Sequence, residues 1–188
     1  MLDGGTPMRT FGIIGAMLVF LSLAGCGTVA KMGYKSVVGV DTNARLHDPI
    51  ATDTLAPYGT VTVGQVDTDV STICSDALLA MIRHHMRGAF AERLTTTYPG
   101  DGRSLTVDVD CRYHKRSRRF RSEGRLDVLV HLKDTETGKQ VGRFHVEAIN
   151  TSPMHAGDDH LAEAVAKEIA KKLVELKRQS RPADSQAD

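Results

Sequence analysis

The most concentrated chemistry in this sequence is cationic. From Arg112 to Arg125 the chain carries Lys115 and six arginines, Arg112, Arg116, Arg118, Arg119, Arg121 and Arg125, against a single acid, Glu123. A guanidinium offers a planar fork of donors that matches phosphate and carboxylate oxygens, so a run of this density points to an anion or an acidic partner. Lipid headgroup phosphates, lipopolysaccharide, acidic glycans and an acidic protein surface all fit, and the plainer alternative is a solvated loop without a dedicated ligand. A second candidate is a cysteine pair. Cys74 and Cys111 both fall on apolar stripes and lie 37 positions apart. In an oxidising compartment a bridge between them would stabilise the fold by about 3–4 kcal/mol on the loop-entropy argument. The alternative is two separate buried thiols, because spacing alone does not fix the Cα separation.

The other reactive residue types do not assemble into a site. Eight histidines are present, none in a His-Glu-x-x-His arrangement. His84 and His85 are neighbours and diverge by about 100° on a helix, which keeps them from chelating one ion. No Gly-x-Ser-x-Gly elbow and no glycine-rich phosphate loop occur. Asp127 and Glu147 are expected to face each other across strands, where such a pair raises one pKa and imitates a general acid unless Arg125 or Arg143 neutralises it. No catalytic residue, metal site or cofactor is therefore expected. With 24 basic against 23 acidic residues the net charge of +1 selects no partner, and the absence of tryptophan weakens any stacking platform for sugars or bases.

These residues need elements to hold them. Tyr58 to Val66 alternates and reads as a strand. Cys74, Leu78, Ile82, Met86 and Phe90 then recur at helical spacing to about Leu94, with Asp69 or Ser71 as the expected cap, and Tyr98-Pro99-Gly100-Asp101-Gly102 ends that helix. Ser104 to about Tyr113 alternates again, with Leu105, Val107, Val109, Cys111 and Tyr113 inward. Leu126, Val128, Val130 and Leu132 form the inward face of the next strand. The basic run is thus the connection between these two strands. A closing helix runs from Asp158 or Asp159 to about Arg178, with Leu161, Val165, Ile169, Leu173 and Leu176 on one stripe.

The segment Asp134-Thr135-Glu136-Thr137-Gly138-Lys139 suits a three-residue hairpin loop with Gly138 in the left-handed conformation. Pairing Thr135 with Lys139 sets Val130 opposite Phe144, Val128 opposite Val146 and Leu126 opposite Ala148. The same register sets His131 opposite Arg143, Leu129 opposite His145 and Asp127 opposite Glu147 on the other face. A slip by one residue would mix apolar and polar sets, which fixes the pairing. The order strand, helix, three strands, helix predicts an α+β two-layer sandwich: a mainly antiparallel four-stranded sheet with two helices on one face. The outer sheet face is expected to be polar and to meet water or another copy.

Near the start of the chain, Arg9 precedes an apolar run from Phe11 to Leu23, too short at about 13 residues to span a bilayer. It closes on Leu23-Ala24-Gly25-Cys26, which resembles the lipobox at which bacterial lipoprotein signal peptides are cut and lipidated. The resemblance implies that Cys26 becomes the first residue and carries acyl chains on sulfur and amine, several chains together giving a stable anchor. Gly27 after the cysteine, where some relatives have an aspartate, implies the outer membrane, with the chain facing the periplasm. The expected organisation is a signal peptide over 1–25, lipidated cysteine and tether over 26–57 with one short β-like run from Tyr34 to Val40, a periplasmic α+β domain over 58–178, and an unstructured tail over 179–188.

Over about 58–178 the chain also resembles small bacterial envelope lipoproteins, among them the lipoprotein component of Pel polysaccharide secretion, the lipoprotein activators of penicillin-binding proteins and the core of the curli secretion lipoprotein. Leu23-Ala24-Gly25-Cys26, the stretch Gly124 to Lys139 and the Ala-rich helix Ala162 to Leu176 carry it. It implies a non-catalytic part of an envelope assembly, held by its lipid anchor, with an envelope protein or further copies of itself as partner. The alternative is a tethered binding module that takes acidic glycan or lipid phosphate through Arg112–Arg125. Export argues against nucleic acid.

Overall fold

The computed structural model describes residues 40–46, 50, 54–70, 72–115, 123–150 and 157–180. Cys26, Arg116, Arg118, Arg119 and Arg121 lie outside the described residues, as do residues 1–25, nearly all of the Tyr34–Val40 run and residues 181–188. The described part is α+β: β1 (Val40–Leu46), β2 (Tyr58–Asp67), α1 (Asp76–Arg93), β3 (Arg103–Lys115), β4 (Gly124–Asp134), β5 (Gln140–Asn150) and α2 (Asp158–Gln179). Five strands form one mixed sheet in the order β1-β5-β4-β3-β2.

Two features correct the four-stranded antiparallel expectation. β1 is a fifth strand, paired antiparallel with β5 and lying in the region read as tether. Its inward positions Val40, Thr42 and Ala44 are half-buried, and the Thr42 hydroxyl donates to Glu168 on α2 at 3.1 Å. β2 pairs with β3 in parallel, because α1 carries the chain back across the sheet as a crossover connection. Both helices pack on the same face, and their apolar stripes join the inward residues of β3, β4 and β5 in one core.

The β4–β5 hairpin shows the expected pairs Val130–Phe144, Val128–Val146 and Leu126–Ala148, with His131–Arg143, Leu129–His145 and Asp127–Glu147 on the other face. Its tip differs. Lys133 pairs with Gln140 after a bulge, so Asp134 rather than Thr135 faces Lys139, whose carbonyl accepts from the Asp134 N–H at 2.9 Å. Gly138 has φ +67, and its N–H returns to the Asp134 carbonyl at 2.8 Å. A second bulge, between Cys111 and Tyr113, turns Tyr113 outward to 40% exposure and brings His114 inward, contrary to the alternation read from sequence.

Cys74 and Cys111 are joined by a disulfide with Cα atoms 6.4 Å apart. Cys74 precedes α1 instead of lying on it. The cap is Ser75, which accepts from the Leu78 N–H, and neither Asp69 nor Ser71 takes that role. At the other end of the sheet, Gly59 lies so close to the Asp101 carbonyl that a Cβ there would overlap it. Nearby, Lys177 is 7% exposed and its ammonium donates to the carbonyls of Leu55, Ala56 and Tyr58 at 2.6–2.9 Å. This buried cation ties α2 to the start of β2.

Candidate functional site

The basic run is rooted in the last residues of β3 and the first residues of β4. Arg112, on the bulge, places Nη2 2.5 Å from Asp110 and Nη1 3.3 Å from Asp69. Arg125 places Nε 3.1 Å from Asp127 Oδ2 and Nη2 2.8 Å from Glu147, with its guanidinium carbon 5.8 Å from the centroid of Tyr113. These two arginines are therefore paired with carboxylates on and beside the sheet. They also settle the Asp127–Glu147 question: Arg125 sits between the two acids and neutralises them. Lys115 is exposed and has no ion pair among the described residues. Of the anion-binding candidates, Arg112 and Arg125 are thus ion-paired, Lys115 is not paired among the described residues, and Arg116, Arg118, Arg119 and Arg121 lie outside them.

The register places the described residues on either side of this run at a defined end of the sheet. Asn150 pairs with Gly124 on one side and with Val40 on the other. Lys115 pairs with Arg125 at the same end. The point where the chain enters the sheet and the point where the basic connection rejoins it are thus two strand spacings apart, about 10 Å.

The face turned away from the helices is charged and internally paired. Lys133 meets Asp108 at 2.8 Å, Arg112 meets Asp110, and Arg125 meets Asp127 and Glu147. Asp110 is 9% exposed, and its Oδ1 has no hydrogen-bond partner among the described residues. Burial pushes its carboxyl up, aided by Asp69 and Asp67 and opposed by Arg112. His131 bonds the Gln140 side chain at 3.0 Å.

Sequence reasoning missed a set of contacts at the start of α2. Asp158 pairs with His114 at 3.0 Å and Asp159 with His85 at 2.7 Å, so one acidic turn ties β3 and α1 to the closing helix. The signal was present as Asp158-Asp159 at a helix start, but the bulge that turns His114 inward was not. Among the described residues no group of three or more His, Cys, Asp or Glu could hold a metal ion. A shallow groove runs between β2 and α1, lined by Val61, Val63, Arg87, Phe90, Leu94 and Tyr98 together with Thr60, Thr62, Ala91 and Thr95. Its lining is mainly apolar, with three threonine hydroxyls, one tyrosine and one cation, Arg87, and offers no acid–base pair.

No protein-family model matches the chain, and no curated protein matches it in sequence. Solved structures similar to it include a PelC dodecamer from Paraburkholderia phytofirmans, 14% identical, covering 76% of this chain and 99% of that one with a TM-score of 0.41. A presumed lipoprotein from Caulobacter crescentus is 16% identical over 69% of this chain and 98% of that one, TM-score 0.41. A minor lipoprotein from Acinetobacter baumannii is 11% identical over 63% and 91%, TM-score 0.34.

Proposed function

We propose that this chain is a non-catalytic lipoprotein of the cell envelope, anchored through Cys26 in the outer membrane and facing the periplasm, where its domain scaffolds or binds a component of a secretion, transport or wall-synthesis assembly. The basic connection is its contact surface. The observation that carries this reading is the shared register of Val40 and Gly124 on Asn150. Cys26 lies 14 positions before Val40, a reach of at most about 50 Å. The segment that begins at Cys26 would therefore join the sheet at the end where Lys115 and Gly124, the residues on either side of the arginine connection, also lie.

That adjacency also favours a second reading, a tethered module for lipid phosphate or acidic glycan. One variant separates the two. The variant replaces Arg116, Arg118, Arg119 and Arg121 by serine in the full chain and changes none of the described core residues. Under the scaffold reading it abolishes photo-crosslinking of position 115 to an envelope protein while the melting temperature stays put; unchanged crosslinking rejects the role of the connection. Under the second reading the purified chain is retained on phosphatidylglycerol vesicles or acidic polysaccharide without any protein partner, and retention falls as salt is raised.

A further inference from the structure

We propose that the open edge of β2, with the groove beneath it, receives an extended segment of a partner protein that adds to the sheet beside β2, turns apolar side chains into the groove and presents a carboxylate to Arg87. This goes beyond the anchored-scaffold reading, since it holds whether or not Cys26 is lipidated.

β2 is an edge strand, and sheet edges expose unpaired N–H and C=O groups that act as templates for another strand unless they are guarded. Here the guard is confined to one end. A bulge breaks the ladder between Val63 and Val66, Asp108 Oδ1 takes the Gln65 N–H at 2.8 Å, and the Arg83 guanidinium donates to the Val66 carbonyl at 3.3 Å. Among the described residues the stretch Thr60-Val61-Thr62-Val63 has no such protection, and it has no Lys, Arg or Pro of its own. Its threonine hydroxyls are turned back into the protein, Thr60 to the Gly100 carbonyl and Thr62 to the Leu105 carbonyl, both at 3.3 Å.

Below that stretch the core is open at its flank. Val61 and Val63 are half-buried, and the groove continues over Phe90, Leu94 and Tyr98. Arg87 stands exposed on its wall with no ion pair or hydrogen bond among the described residues. Apolar floor and lone cation together specify the occupant: alternate apolar side chains with one acid on the same face. The opposite edge of this sheet, β1, does not meet that demand. Its inward positions are Val40, Thr42, Ala44 and Leu46, and its acid, Asp41, lies on the other face. A second copy pairing through β1 would leave Arg87 unanswered, so the charge pattern favours a foreign strand.

The test uses the full chain in detergent and two labelled peptides of alternating valine and threonine with lysine ends, identical except for a central glutamate or glutamine among the valines. The glutamate peptide is expected to bind about 10-fold more tightly, the scale of one charge-assisted hydrogen bond. Arg87→Gln should remove that preference, and peptide should slow amide exchange at Thr60–Val63. Ala91→Arg, at an exposed position, should block the groove and abolish binding. Equal affinity for the two peptides, binding unchanged in Ala91→Arg, or no slowing of exchange would overturn the proposal. Slowing that rises with protein concentration in the absence of peptide would overturn it too, because a second copy would then hold the edge.

Discussion

Asp110 and Asp134 are both almost sequestered, yet their surroundings drive them in opposite directions. Asp134 takes the Thr137 hydroxyl and N–H at 2.8 Å each and faces Tyr58 and Arg103, which together hold its carboxyl below the usual range. A depressed carboxylate stabilises the fold above its unfolded pKa of about 3.9 and loses that effect as pH falls through the folded value. Asp110 is raised, chiefly by burial, so ionising it opposes folding, and that cost appears as pH rises from the unfolded value through the folded one. Asp134→Asn should therefore melt below the wild type at neutral pH, with the gap closing in acid. Asp110→Asn should melt at or above the wild type at neutral pH, with its advantage closing in acid. Thermal melts of the three proteins from pH 3 to 7 check both signs; a shared sign would contradict the assignment. Neither behaviour was legible in sequence. The alternation placed Asp110 on the outer face but not Arg112 beside it, and the hairpin reading gave Asp134 no role at the tip.

Among the elements, legibility followed how strongly the pattern excluded alternatives. The β4–β5 register could be read because a slip would put Asp127 and Glu147 into the core. β1 escaped because seven residues with Asp41, Asn43 and Arg45 on one face resemble a linker until β5 is there to pair with them. The parallel β2–β3 pair was in fact implied by strand, helix, strand in succession, a connection that returns the chain in the same direction. The bulge at Arg112 has no sequence signal, and without it the alternation sets Tyr113 inward. Cys74 and Cys111 share an apolar environment in sequence, and the fold supplies the proximity. Their bond closes a separation of 37 residues from the segment before α1 to β3, so the double change to alanine should cost about 3–4 kcal/mol. Urea unfolding of the variant beside the oxidised and reduced wild type tests this. The reduced wild type should match the variant, and equal midpoints for oxidised and reduced protein would show that the bridge contributes nothing.

At the scale of the molecule, the two helices bury one face of the sheet, and the other face is covered by its own ion pairs. The chemistry left for partners lies at two margins: the end that carries the arginine run, and the free stretch of β2. The first was visible as composition, although the commitment of Arg112 and Arg125 to the sheet was not. The second was invisible, because nothing in Thr60-Val61-Thr62-Val63 reveals that no strand among the described residues pairs with its outer side. Anchoring at Cys26 is what would turn the first margin into a membrane-facing contact, so the most direct test is the mass of the N-terminal peptide of the protein recovered from the outer-membrane fraction of a Gram-negative host. The account predicts a chain that begins at Cys26 and carries acyl chains on its amine and sulfur. A chain that keeps residues 1–25, or one that is cut without acylation, would contradict it.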